Sequence, residues 1–240
     1  MSTILEIRDL SVEYESGQQV LRGTRLQLDS GQVYGLLGVN GAGKTTLLHT
    51  LCGVNRSFTG GFRILDMEIT PEASEQQWLA AKKHRYFAAD APLLFDELTM
   101  RQYVEFIHKL YGVPLDPLDL LRMAEAFCCD QYLDRTISEL SLGNRQKTVL
   151  MTGLLLRPPL FLLDEPLVGL DVEAIETFYK QLQEYCAGGG TVLFSSHLLE
   201  IVQRFCSHIF ILHRGQIAAS LPVDREQDLH SLFFGVVHNE

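Results

Sequence analysis

Gly38-Val39-Asn40-Gly41-Ala42-Gly43-Lys44-Thr45-Thr46 decides the reading of this chain, because it fits the phosphate-binding pattern G-x-x-x-x-G-K-[ST]. Gly38, Gly41, Ala42 and Gly43 let the backbone bend tightly, so that successive N–H groups of the loop, Asn40 included, turn inward toward phosphate oxygens. Lys44 adds a mobile cation for the β- and γ-phosphates, and the Thr45 hydroxyl is placed to ligate Mg²⁺. Thr46 falls in the first helical turn, within reach of an α-phosphate. Upstream, Val33 to Leu37 is a short apolar run that predicts a buried strand. Downstream, Thr45 to Cys52 predicts a helix capped by Gly53, and a helix N-terminus adds partial positive charge. Chance yields the pattern in roughly one chain in a hundred of this length. Set between a strand and a helix, it reads as a nucleotide site.

At 240 residues, the sequence is long enough for one large domain, or for a core with an inserted lobe. A net charge of −10 makes it a poor candidate for gripping nucleic-acid phosphates. No apolar run approaches the ~18–20 residues needed to span a bilayer, and the N-terminus lacks the form of a signal peptide. The expectation is a chain soluble in itself. Five cysteines with no CxxC spacing are expected to be reduced, mostly buried thiols in a cytosolic protein.

Around the loop, Ile4 to Tyr14 and Val20 to Leu28 alternate loosely, predicting two strands of an antiparallel β layer with a turn at Glu15-Ser16-Gly17. Tyr14 reads equally as a strand-end core residue or as an exposed ring on which a purine stacks. Gly60 to Asp66 predicts another turn and strand. Thr99 and Gln102 form a capping box ahead of Tyr103, Ile107, Leu110 and Tyr111 at helical spacing. Leu118 to Cys128 is a second amphipathic candidate, separated from the first by Pro114 and Pro117. Residues from about Asp90 to Met151 thus predict an inserted helical lobe within an α/β chain.

Leu160 to Leu163 is fully apolar and runs into Asp164-Glu165-Pro166. A buried parallel strand presents its C-terminal end at the ligand crevice, which puts both acids where chemistry happens. Asp164 is placed to hold Mg²⁺, leaving Glu165 to orient or deprotonate water. Asp171 caps a further helix with Ile175, Phe178, Tyr179 and Leu182 on one face. Gly188 to Gly190 breaks it, and Thr191 to Ser196 is the next buried strand, ending at His197 on the crevice side. A γ-phosphate contact is the favoured role for that histidine. Ile209 to Ala219 predicts a hairpin turning at Arg214-Gly215, and no motif follows Leu221.

Leu140-Ser141-Leu142-Gly143-Asn144-Arg145-Gln146-Lys147, about twenty residues ahead of Asp164, resembles the signature of ATP-binding cassettes. With it, residues 3 to 220 or so resemble the nucleotide-binding subunit of an ABC transporter, of the stand-alone, exporter-serving type. The resemblance implies a P-loop NTPase fold: a RecA-like α/β core with an antiparallel β layer (1–89 and 152–240) and a helical lobe (90–151). It also makes Tyr14 the adenine-stacking aromatic, Gly38 to Thr46 the Walker A loop and Leu160 to Glu165 the Walker B strand with its catalytic glutamate. Gly169-Leu170-Asp171 matches the D-loop and His197 the switch histidine. Two departures stand out. Leu142 and Asn144 replace signature residues, although Ser141 and Gly143, which face a γ-phosphate, are kept. At the Q-loop position stands Asp90, which can coordinate Mg²⁺ but cannot donate unless protonated.

The resemblance further implies an ATPase using ATP and Mg²⁺, two cassettes closing head to tail, and a separately encoded transmembrane permease docked beside the Asp90 loop. The chain would then lie on the cytoplasmic face of the membrane. Two other readings compete: a cassette regulator of repair or translation, and a cassette that binds ATP but barely hydrolyses it. The absence of a coiled-coil insertion or a second cassette disfavours the first, and Glu165 with His197 disfavours the second.

Overall fold

The computed structural model describes residues 2–14, 17–92, 94–224, 226 and 228–238. The turn expected at Glu15 and Ser16 lies outside the described residues. β1 (Thr3–Glu13) and β2 (Gln19–Asp29) pair antiparallel, as their alternation predicts. β3 (Val33–Leu37) leads through the glycine loop into α1 (Lys44–Cys52), which ends at Gly53 in a left-handed cap, φ 74°. β4 (Thr59–Ile64) and β5 (Met67–Ile69) complete a first, antiparallel sheet of order β2-β1-β4-β5.

The sequence reading left the next two elements without assignment. α2 (Glu75–Lys82) starts from a capping box of Ser74 and Gln77, and β6 (Arg85–Ala88) is a four-residue strand with an arginine at its head. α3 (Met100–Tyr111) has both halves of the expected Thr99–Gln102 capping box. α4 (Pro117–Ala126) begins with Pro117 in its first turn, where the missing N–H costs nothing. It stops short of the Cys128 expected from the pattern, because Cys128 takes a left-handed φ of 53° that no right-handed helix tolerates. α5 (Leu142–Leu156) runs straight through residue 151, where the sequence placed the end of the lobe.

β7 (Leu160–Asp164), α6 (Val172–Ala187) and β8 (Thr191–Ser196) follow as their patterns predict. α7 (Leu199–Phe205), β9 (His208–His213), β10 (Gln216–Pro222) and α8 (Leu229–His238) close the chain. The hairpin turns at Arg214 and Gly215, both at positive φ, the conformation a two-residue turn demands. No helix among the described residues is long and apolar enough to cross a membrane.

The second sheet has the order β10-β9-β3-β8-β7-β6, parallel except for β9 with β10. Its strands β3, β7 and β8 are buried at every residue because both sheet faces are covered. Leu160 and Leu162 face the β layer and α1, while Phe161 and Leu163 face the helices. Since β8 lies between β3 and β7, the carboxyl ends of all three strands are neighbours. The glycine loop, Asp164 and His197 meet there for that reason.

α5 joins the lobe to the sheet. Met100, Val104, Leu120 and Phe127 share one apolar core with Val149, Leu154, Phe161 and Phe194. At Gly153, a Cβ would lie 2.4 Å from the Phe161 ring and 2.8 Å from that of Tyr86. Gly153→Ala gains about 1 kcal/mol of helix propensity, but overpacking against two rigid rings costs about 1–3 kcal/mol. The expected result is a thermal midpoint lowered by about 2–8 °C in calorimetry; an unchanged or higher midpoint contradicts this packing.

Candidate nucleotide-binding site

The loop after β3 turns on Gly41 (φ 80°) and Gly43 (φ 108°). A Cβ at Gly38 would lie 2.6 Å from the Leu212 carbonyl oxygen, so close backbone approach also demands glycine there. Ala42 is buried beside it. Lys44 curls back across the loop, and its Nζ donates to the Gly38 carbonyl at 2.7 Å. Burial lowers the Lys44 pKa, while the nearby carboxylates of Glu165 and Asp164 work the other way. A single neutral carbonyl is weak compensation for a buried ammonium, and an anion in the loop supplies what is missing.

Asp164 is 1% exposed at the end of β7. Its Oδ1 accepts a hydrogen bond from the Ser195 hydroxyl; its Oδ2 is buried without a hydrogen-bond partner among the described residues. Thr45 lines the same cavity. An unpaired carboxylate oxygen beside a threonine hydroxyl fits a hard cation that shares its shell with phosphates, as Mg²⁺ does. Among the described residues, no group of three His, Cys, Asp or Glu forms a cage made of protein alone.

Glu165 has φ 45°, a left-handed conformation costing about 1–2 kcal/mol for a residue with a side chain. Its N–H lies 3.2 Å from both the carbonyl and the hydroxyl oxygen of Ser195, which hold that backbone in place. The Glu165 carboxylate accepts from the Ser196 hydroxyl at 3.3 Å and pairs with Nδ1 of His197 at 2.8 Å. His197 therefore forms a dyad with the acid. A histidine bonded to a carboxylate orients it, and the pair is suited to polarising a water.

These groups surround a cavity of about 390 Å³ lined by Tyr14, Asn40, Gly41, Gly43, Lys44, Thr45, Thr46, Asp90, Asp164 and Glu165, with Gln18 and Val20 at the β2 side. Tyr14 is 44% exposed, and its hydroxyl shares a 2.9 Å hydrogen bond with that of Thr46. Of its two sequence readings, the core one fails. Asp90 is exposed and its Oδ1 accepts from the N–H of Ala91 at 2.7 Å.

Ser141, Gly143 and Asp171 do not line this cavity. Ser141 caps α5, its hydroxyl accepting from the Asn144 N–H at 3.3 Å. A Cβ at Gly143 would come within 2.6 Å of the Gly169 carbonyl oxygen, so the start of α5 abuts the loop before α6. Asp171 caps α6 through the Ala174 N–H at 2.8 Å and pairs with Lys147 at 3.0 Å. These two contacts, in that order, hold its carboxyl below the usual range. Gln146 donates to the Pro166 carbonyl at 2.9 Å, tying α5 to the segment after Glu165. Sequence reasoning gave no role to Ser195, Gln146 or Lys147. Ser195 had one signal, being a polar residue in an otherwise apolar strand at the crevice end.

The sequence model of the family described as ABC transporter matches residues 21–168. The chain belongs to this family. It is 56% identical over 238 residues to "Putative ABC transporter ATP-binding protein AlbC" of Bacillus subtilis (strain 168), covering 99% of this chain and all of that one. A solved structure described as the ATP binding subunit of an ABC transporter superposes with a TM-score of 0.88 at 28% identity, over 98% of this chain and 99% of its own. A dimeric ATP-binding cassette bound to ADP and Pi has the same fold, TM-score 0.82 at 20% identity, over 92% of this chain and 99% of its own. Within the ABC transporter family this chain is an ATP-binding subunit.

Ser195 holds both the backbone of Glu165 and one oxygen of Asp164. Removing such a supporting hydroxyl in Ser195→Ala raises the Mg²⁺ concentration for half-maximal ATP hydrolysis by about 10–100-fold. A magnesium titration of ATPase activity measures this, and an unshifted midpoint would show that Ser195 is packing alone.

Proposed function

We propose that this chain binds and hydrolyses MgATP as one of two cassettes that close head to tail, and thereby drives a separately encoded transmembrane permease, in the direction of export. One observation carries the reading. The cavity has a phosphate loop, a carboxylate oxygen without a partner and an acid–histidine dyad, while Ser141 and Gly143 stand outside it. A site built this way is half a site, and the missing half is the capped N-terminus of an α5 from a second chain.

In this reading Tyr14 stacks on the adenine, and the N–H groups of Asn40 to Thr46 receive the phosphates. Lys44 leaves the Gly38 carbonyl for the β- and γ-phosphates. Thr45 and Asp164, with Asp90 opposite, would hold Mg²⁺, which supplies neutralisation of phosphate charge when bound. Glu165 accepts the proton of the attacking water, and His197 keeps its carboxylate aimed while steadying the γ-phosphate. The partner's Ser141 and Gly143 meet the γ-phosphate from the other side, and Asp171 passes their position to its own chain through Lys147. The permease docks in the groove beside the Asp90 loop, which places the chain on the inner face of the cell membrane. A net charge of −10 leaves nucleic acid out of the partner set.

Glu165→Gln keeps the shape of the acid but cannot take the proton, so ATP is held. Its solution mass is expected to shift from monomer to dimer when ATP is added. A monomer with ATP bound would contradict self-closure and assign the second half-site to a different cassette or to the permease. For the Asp90 position, Asp90→Gln removes a negative charge facing the phosphates. Apparent Mg²⁺ affinity in the ATPase assay should fall about tenfold, and an unchanged Mg²⁺ dependence would take Asp90 out of the metal shell.

A further inference from the structure

A second cavity, of about 470 Å³, opens between α2, β6 and α3. Its helical walls present Leu79 from α2 and Leu110 from α3, and Val54 stands at its edge; all three are at least 60% exposed. Its charged lining consists of Lys82, Lys83 and Arg85, with no acid among the described residues. In a chain with 30 acids against 20 basic residues, a groove with three cations and no carboxylate runs against the composition.

Arg85 is the unusual group. It is 3% exposed, and neither terminal nitrogen of its guanidinium has a hydrogen-bond partner among the described residues. The guanidinium lies against the Trp78 ring, 5.8 Å from its centroid, in space left by Gly53, where a Cβ would come within 3.6 Å of Nη2. Burial lowers the Arg85 pKa, yet a guanidinium keeps its proton in proteins. A buried charge facing only an aromatic ring is under-compensated, and five donors in a planar fork match a carboxylate better than any other side chain. Leu79 and Leu110 make the walls apolar, which suits the ridge of an amphipathic helix.

We propose that this groove takes an amphipathic helix of the membrane subunit whose apolar face carries one carboxylate, and that Arg85 recognises that carboxylate. The proposal rests on the reading above that a permease docks beside the Asp90 loop. Because both terminal nitrogens are covered, recognition requires Arg85 to swing off Trp78 into the cavity on its own flexible stem. Arg85 opens β6, the strand that leads to Asp90, and it pairs in register with Leu160 of β7, the strand that ends at Asp164. Engagement of the carboxylate therefore pulls on the two strands that carry the metal-facing acids.

Trp78 is the only tryptophan in the chain, so its fluorescence reports any departure of Arg85. The full chain is titrated with a blocked 16-residue amphipathic peptide having leucines on one face and a single central glutamate, and with its glutamine twin. The glutamate peptide is expected to bind at least tenfold tighter and to change Trp78 emission. Arg85→Met should bind the two twins alike while melting at a higher temperature, and Arg85→Lys should retain part of the preference. Leu110→Glu should lose both peptides. If the twins bind wild type equally, or their difference survives in Arg85→Met, recognition of the acid is overturned. Docking in the groove still stands in that case, provided Leu110→Glu loses both. If the glutamate peptide does not bind, or Leu110→Glu binds it like wild type, docking of such a helix here is overturned as well. An Arg85-dependent emission change with phosphatidylglycerol vesicles and no peptide would assign the guanidinium to lipid headgroups and also overturn the proposal.

Discussion

Asp164 ends five consecutive buried residues, and one of its two oxygens receives no hydrogen bond among the described residues. Keeping an ionised carboxylate there costs several kcal/mol unless cations and donors compensate. Ser195 supplies one donor and Lys44 a nearby charge, and the remaining deficit is of the kind a phosphate-bound cation removes. Ligand binding and folding are then coupled: whatever fills the cavity stabilises the chain in proportion to its affinity. The same buried carboxylate explains why β7 must be apolar on both sides. Only a strand clamped between two cores, with Leu160 and Leu162 on one face and Phe161 and Leu163 on the other, holds its last residue that rigidly.

Strand order converts this rigidity into a site. β8 separates β3 from β7, so Ser195 and Ser196 stand between the glycine loop and the acids. Their hydroxyls fix Asp164 and the backbone of Glu165, and the residue after them is His197. The left-handed φ of Glu165 is the one strained feature at the end of β7, and three oxygens of β8 brace the residue against relaxing.

Much of this was legible in the sequence because the signals are local. A glycine loop needs positive φ, a capping box is read within four residues, and a doubly covered strand is apolar throughout. Elements whose identity depends on distant partners were not legible. β6 has an arginine at its head and only four residues, and it is a strand because β7 pairs with it. α7 and α8 are short or lack a motif and are held by packing, Val202, Phe205 and Phe233 lying in the main core. Within the site, Lys44, Asp164 and Glu165 followed from motif and strand polarity. The contacts of Ser195, Gln146 and Lys147 did not, since each spans twenty or more residues of chain. The end of the helical lobe was misplaced for a related reason: apolar periodicity says where a helix is amphipathic, and α5 becomes buried on nearly all sides just where it passes under the sheet.

α5 is consequently a beam with two different ends. Its fifteen residues span about 22 Å. At one end Gly143 presses on Gly169; toward the other Gly153 is wedged between two aromatic rings. A beam seated on a close glycine contact has a fulcrum there, and its free end moves through a larger arc than its anchored one. Small tilts at Phe161, one strand residue before Leu162 and three before Asp164, would appear as ångström-scale sweeps of Ser141. Substrate-side geometry and the placement of the capped helix end are thus mechanically geared, with the gear ratio set by where along the helix that one missing methyl group falls.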